Sequence, residues 1–165
     1  MMLEEQQEQT FCLCGLLSGF KMKVINPINP HENSLGKHMI AEFYNCCEDA
    51  IDNIKYVRDA MMESARVAGA TIVAEKFHKF YPVGVSGVVI ISESHLSVHA
   101  WKEFKYCAVD IFVCDSSLKL EDSLMHLKKM FKAEKVEYAL HSRGEVKRIE
   151  KELGNLTLEE CAKGA

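Results

Sequence analysis

A chain of 165 residues, 48% hydrophobic and 27% charged, is long enough for one domain with a proper core and too short for two comfortable ones. A formal net charge of -4 with scattered basic residues argues against nucleic-acid binding, which wants a basic surface. Its seven cysteines are odd in number and irregular in spacing, and neither Cys12-x-Cys14 nor Cys46-Cys47 matches zinc-site spacing. The thiols are therefore read as reduced and the protein as cytoplasmic.

Residues 1–33 read as a flexible N-terminal extension. Phe11 to Leu17 is apolar but too short to span a bilayer, and the glutamates before it, with no lysine or arginine, are wrong for a secretory signal. No membrane partner is expected, and Met22 is an alternative start. The Asn26-Pro27 and Asn29-Pro30 pairs mark residues 21–36 as an irregular lead-in.

From Lys37 to Cys46 the pattern is a strand, with Met39, Ala41 and Phe43 on one face and His38, Ile40, Glu42 and Tyr44 on the other. Glu48-Asp49 then open a single helix whose apolar stripe is Ala50, Ile54, Val57, Met61, Ala65 and Ala68, and Gly69 ends it. Ala70 to Phe77 is a second strand, after which Pro82 and Gly84 turn the chain. A third strand, Ser86 to Ser92, is apolar on both faces and is predicted to be central and covered. Ser97 to Trp101 is short and extended. Tyr106 to Cys114 is a long strand with Cys107, Val109, Ile111 and Val113 on one side and Ala108, Asp110, Phe112 and Cys114 on the other.

Asp115-Ser116-Ser117 offers capping residues for a second helix, whose stripe is Leu120, Leu124, Leu127 and Phe131. Lys135 to His141 is a last strand, and residues 145–165 form a weakly specified tail. The order β-α-β-β-β-α-β over residues 34–144 predicts an α+β two-layer sandwich, a mostly antiparallel sheet with both helices on one face. The other face needs a layer that one chain does not supply, which predicts a homodimer.

Gly84 to Cys114 concentrates groups able to do chemistry: Ser86, Glu93, Ser94, His95, Ser97, His99, Glu103 and Cys114. A metal held by His95, His99 and Cys114 is not expected, because i, i+4 partners share a face on a helix and this stretch reads as extended. A serine hydrolase is disfavoured because Gly84-Val85-Ser86-Gly87 has its serine in the wrong register for a nucleophile elbow. Cys46, Cys47, Cys107 and Cys161 are read as structural thiols, His38, His78 and His141 as ordinary hydrogen-bonded histidines, and Trp101 and Phe104 as packing or dimer contacts. Ser97 either lines a site or belongs to the sheet.

Several pieces together resemble the small, prokaryotic-type S-adenosylmethionine decarboxylases, which carry a covalent pyruvoyl group. They are Phe77-His78-x-Phe80, Pro82-x-Gly84-Val85-Ser86-Gly87, Ser92-Glu93-Ser94-His95-Leu96-Ser97-Val98-His99, Trp101-x-Glu103 and Ala108-Val109-Asp110-Ile111-Phe112-x-Cys114. Leu35-Gly36-Lys37-His38 and the Gly69-Ala70-Thr71 junction are also similar to that family, so the resemblance covers about Ser34 to Gly144. It implies that the backbone is cut between Glu93 and Ser94 and that Ser94 becomes the pyruvoyl cofactor, which can form a Schiff base with the substrate amine. It gives His99 the proton transfer during processing, Ser86 the support of the tetrahedral intermediate, Cys114 the reprotonation of product, and Phe80 and Glu103 the binding of substrate. The sequence departs from the family at Lys102, where proline is usual, and at Asp115, where glycine is usual. Decarboxylation of arginine or ornithine is the alternative on the same fold, and a non-enzymatic small dimeric α+β binding protein is the alternative of another class.

Overall fold

The computed structural model describes residues 21–24 and 34–154, so the expectations placed on Phe11 to Leu17, Cys12, Cys14 and Cys161 lie outside the described residues. The strands are β1 (Lys21–Val24), β2 (Ser34–Tyr44), β3 (Ile72–Lys79), β4 (Val85–Ile91), β5 (Ser94–Trp101), β6 (Tyr106–Val113) and β7 (Lys135–Glu145). The helices are α1 (Glu48–Ile51), α2 (Ile54–Ala68), α3 (Leu120–Phe131) and α4 (Val146–Glu152), with one 3-10 turn at Lys102–Phe104.

The strands form one seven-stranded sheet in the order β1-β7-β2-β6-β5-β4-β3. Every pairing is antiparallel except the parallel edge pair of β1 with β7. Alternation sends Met39, Ala41 and Phe43 of β2, Leu96 and Val98 of β5, and Val109 and Ile111 of β6 into the core. There they meet Val57, Met61 and Ala65 of α2 and Leu124, Leu127 and Phe131 of α3. The helices are tied to one another by a buried hydroxyl pair, Ser64 Oγ to Ser123 Oγ at 2.6 Å, which satisfies two polar groups that burial would otherwise penalise. The expected α+β sandwich with helices on one sheet face is the observed architecture.

Five local expectations are corrected. Lys21–Val24 is a strand, not lead-in, because the Asn-Pro pairs begin only beyond it, at Asn26. The first helix is broken in two at Asp52-Asn53, since the Asn53 side chain accepts from the Tyr56 amide at 3.1 Å and starts α2 afresh. No side chain caps α3 at Lys119; Asp115 instead accepts from the Ser117 amide at 2.7 Å inside its own turn. Residues 146–152 of the expected tail form α4. Strand β4 is not covered on both sides: Ile90 is 45% exposed because α2 and α3 cover only the opposite face.

The helix-free face carries His38 and Glu42 of β2, His95, Ser97, His99 and Trp101 of β5, Asp110 and Phe112 of β6, and Ser86 and Ile90 of β4. Among the described residues no helix is long and apolar enough to cross a membrane.

Candidate active site

Strand β5, between β6 and β4, carries chemistry towards both ends. At its start Ser94 has φ of 142°, a backbone conformation that side chains rarely adopt and that costs on the order of 1–3 kcal/mol. Register places Ser94 between Ile91 of β4 and Val113 of β6, so Cys114, the next residue along, comes opposite Glu93. The Cys114 amide donates to the Glu93 carbonyl oxygen at 2.9 Å, which fixes and polarises the carbonyl preceding Ser94. The Glu93 carboxylate accepts from the Thr71 amide at 3.3 Å, and Ser94 Oγ lies 3.3 Å from His95 Nδ1. The Cys114 thiol is exposed.

Towards the other end, His99 sits directly opposite Ser86, with Nδ1 at 2.8 Å from Ser86 Oγ. Trp101 stacks on the His99 ring at 5.8 Å and on Tyr106 at 5.5 Å, which limits rotation of the imidazole. His78 of β3 lies opposite Ser86 and makes an edge contact at 4.7 Å with Phe80, whose ring is 48% exposed. Glu103 is exposed in the 3-10 turn after Trp101.

Asp52, between α1 and α2, joins the two segments that carry Phe80 and Glu103. Its Oδ1 accepts from Lys79 Nζ and, at 3.1 Å, from the Gly84 amide, while Lys102 Nζ stands 3.5 Å from Oδ2. The unusual Lys102 thus directs its charge at Asp52. The Lys79 hydrogen bond holds the Asp52 carboxyl below the usual carboxylate range, opposed by its burial.

A third group holds the sheet face together. Asp110 accepts from Ser97 Oγ at 3.3 Å and pairs with His38 Nε2 at 3.1 Å, and Arg143 reaches His38 Nδ1 at 3.2 Å. Ser97 and His38 thereby belong to the sheet network. Cys46 and Cys107 are buried.

The structure gathers Glu93, Ser94 and Cys114 at one place and Phe80, Ser86 and His99 at another. It does not bring the two together within one chain: five residues along a strand separate Ser94 from His99 by about 16 Å. The same spacing leaves His95 and His99 about 13 Å apart, too far to share a metal ion. Recesses of the single chain, one beside Arg58, Glu63 and His126 and one beside Arg143 and Ile149, include none of Ser94, His99 and Cys114. Sequence reasoning named His95 among the groups able to do chemistry but gave it no role, and it passed over Asp52. For His95 the adjacency to Ser94 was the available signal; for Asp52 there was none, since its partners lie 27, 32 and 50 positions away.

The sequence profile of the S-adenosylmethionine decarboxylases matches residues 37–144, which hold every residue of both groups. The chain belongs to that family. It is 47% identical over 111 residues to the S-adenosylmethionine decarboxylase proenzyme of Thermotoga petrophila, covering 67% of this chain and 85% of that one. The proenzyme of the same name from Fervidobacterium nodosum is 48% identical over 111 residues, covering 67% and 81%. The crystal structure of the adenosylmethionine decarboxylase from Aquifex aeolicus superposes with a TM-score of 0.63 at 28% identity, over 68% of this chain and 92% of that chain. The family's fold therefore accounts for β2 through β7, and the residues outside 37–144 lie beyond its profile.

Proposed function

We propose that this chain is a self-processing, pyruvoyl-dependent decarboxylase of S-adenosylmethionine, and that Ser94, His99 and Cys114 carry its chemistry. The observation that carries the reading is the Glu93-Ser94 bond itself: a strained serine comes after a carbonyl already gripped by the Cys114 amide. Attack of Ser94 Oγ on that carbonyl relieves the strain and meets a donor aimed at the developing oxyanion. The residues present fit a pyruvoyl group made from Ser94, because the cut frees this residue as the start of a second chain beside an exposed thiol. When formed, that group supplies an electrophilic carbonyl and an electron sink for decarboxylation.

The two halves of the site are completed by a second copy. A proton does not pass directly over about 16 Å, so the His99 and Ser86 that serve Ser94 are those of a partner subunit. An isologous two-fold dimer joining open face to open face makes two such sites at once, since each half-site meets its complement. In the tautomer where His99 Nδ1–H donates to Ser86 Oγ, the Ser86 hydroxyl proton is free for the oxyanion and Nε2 is free to take the Ser94 Cα proton. Phe80 offers its exposed face to the adenine ring and Glu103 its carboxylate to the polar part of the substrate. Cys114 Sγ, beside Ser94, returns a proton to the product carbon. The odd number and irregular spacing of the cysteines support a reducing, cytoplasmic setting.

The test is intact-mass measurement of the purified protein, then carbon dioxide release from carboxyl-labelled S-adenosylmethionine, arginine and ornithine in parallel. Two chains separated between Glu93 and Ser94, with S-adenosylmethionine preferred, are expected. A single stable full-length chain, or far faster turnover of arginine or ornithine, overturns the reading.

A further inference from the structure

We propose that His95 is the base that starts self-processing, a step separate from the one assigned to His99; the proposal rests on the reading that the chain cuts itself at Glu93-Ser94. Its Nδ1 is 3.3 Å from Ser94 Oγ, whereas His99 of the same chain is about 16 Å away and is engaged by Ser86. The His95 ring is held in place from the neighbouring strand. It lies directly opposite Phe112, with the two planes within 8° and their centres 6.0 Å apart. Phe112 is itself fixed: Arg143 sits over its ring at 5.7 Å, and the space it fills exists because residue 36 is glycine, where a Cβ would stand 2.9 Å from the ring.

In the Nε2–H tautomer, His95 Nδ1 takes the hydroxyl proton as Ser94 Oγ bonds to the Glu93 carbonyl carbon. The displaced electron pair moves onto the carbonyl oxygen, which the Cys114 amide already contacts. Collapse restores the carbonyl and breaks the bond from the Glu93 carbon to the Ser94 nitrogen, and Nδ1 returns its proton to that nitrogen. An amide has become an ester and a free amine, with no other reactant consumed. The later proton removal from Cα is the His99 step.

The two assignments differ in the species that accumulates. His95→Ala and His95→Gln in the full chain are expected to slow cleavage by about 100-fold or more, and neutral hydroxylamine, which splits esters, is expected to leave their precursor whole. The His99→Ala precursor is expected to be split by hydroxylamine at Glu93. Cleavage of both His95 variants at the wild-type rate, or a hydroxylamine-sensitive precursor in either, overturns the proposal. Near-ultraviolet circular dichroism reports folding; if His95→Ala is unfolded, His95→Gln decides, and loss of the native signal in both assigns His95 to packing and overturns the catalytic role. A wild-type chain that stays whole defeats the self-processing reading itself, an outcome distinct from any of these.

Discussion

The amide nitrogen of Cys114 lies 2.9 Å from the carbonyl oxygen of Glu93, so the proposed mechanism asks two different atoms of one residue to serve two steps. In that proposal its backbone supports cutting and its thiol supports turnover. Cys114→Ala keeps the amide and removes only the thiol. The variant is expected to appear as two chains by intact mass, like the wild type, while carbon dioxide release falls and the product carbon is wrongly protonated. An uncut Cys114→Ala precursor would show that the thiol, not the amide, is what processing needs.

Subunit complementation is a consequence of the separation of Ser94 and His99. Ser94→Ala and His99→Ala chains are each expected to stay uncut when expressed alone. In mixed dimers the His99→Ala chain supplies Ser94 and the Ser94→Ala chain supplies His99, so one complete site forms. Mass spectrometry of co-expressed chains should therefore find the His99→Ala chain, and only that chain, cut after Glu93. Absence of any cut chain in verified heterodimers would contradict a shared site.

Phe80 stands half-exposed on the turn after β3, with its ring edge against His78. Phe80→Ala is expected to leave processing intact and to raise KM for S-adenosylmethionine by an amount corresponding to about 1–3 kcal/mol, the scale of base-aromatic stacking. Steady-state kinetics on the processed enzyme checks this. An unchanged KM would remove Phe80 from the binding site.

Asp52 links the Phe80 turn to the Glu103 turn through Lys79, Gly84 and Lys102. Asp52→Asn is expected to raise KM more than it lowers kcat, since it loosens both turns without touching Ser94. The carboxyl is held below its ordinary value of 3.8, chiefly by the Lys79 hydrogen bond, so folding favours the ionised form. Its stabilisation is full above that ordinary value and is lost as pH falls through the lower, folded-state value. Thermal melts of wild type and Asp52→Asn should therefore differ at neutral pH and converge in strong acid; a gap that widened in acid would contradict the assignment.

Gly87 lies under the Phe77 ring of the adjacent strand, where a Cβ would stand 2.0 Å from the ring carbon. Gly87→Ala is expected to lower stability by about 1–3 kcal/mol, the usual cost of overpacking. Chemical denaturation of the purified variant is the check, and an unchanged midpoint would show that the Phe77 ring swings clear without loss.

Much of this molecule was legible in the chain because its elements obey short-range periodicity. Met39, Ala41 and Phe43 alternate with period two, and Leu120, Leu124, Leu127 and Phe131 repeat with the helical period, so local spacing is enough to give the buried sides of β2 and α3. The residues proposed for the site were likewise taken from a local motif, Glu93-Ser94-His95 with His99 beyond it, and the family match over residues 37–144 spans that motif.

Periodicity could not supply position in space. The break at Asp52-Asn53 is invisible in an apolar stripe that continues through it, because the cause is a side chain capping α2 and a carboxylate reaching strands far along the chain. The strand Lys21–Val24 exists through its pairing with β7, more than a hundred positions away. Sequence also places Ser94 and His99 close together, five positions apart; only the extended path of β5 sets them at opposite ends of a strand, at about 3.3 Å per residue. The residue types that carry the proposed chemistry were therefore set by the sequence, whereas the separation of Ser94 from His99, on which the proposed second subunit rests, was decided by the tertiary structure, since extended backbone turns neighbours in sequence into distant points in space.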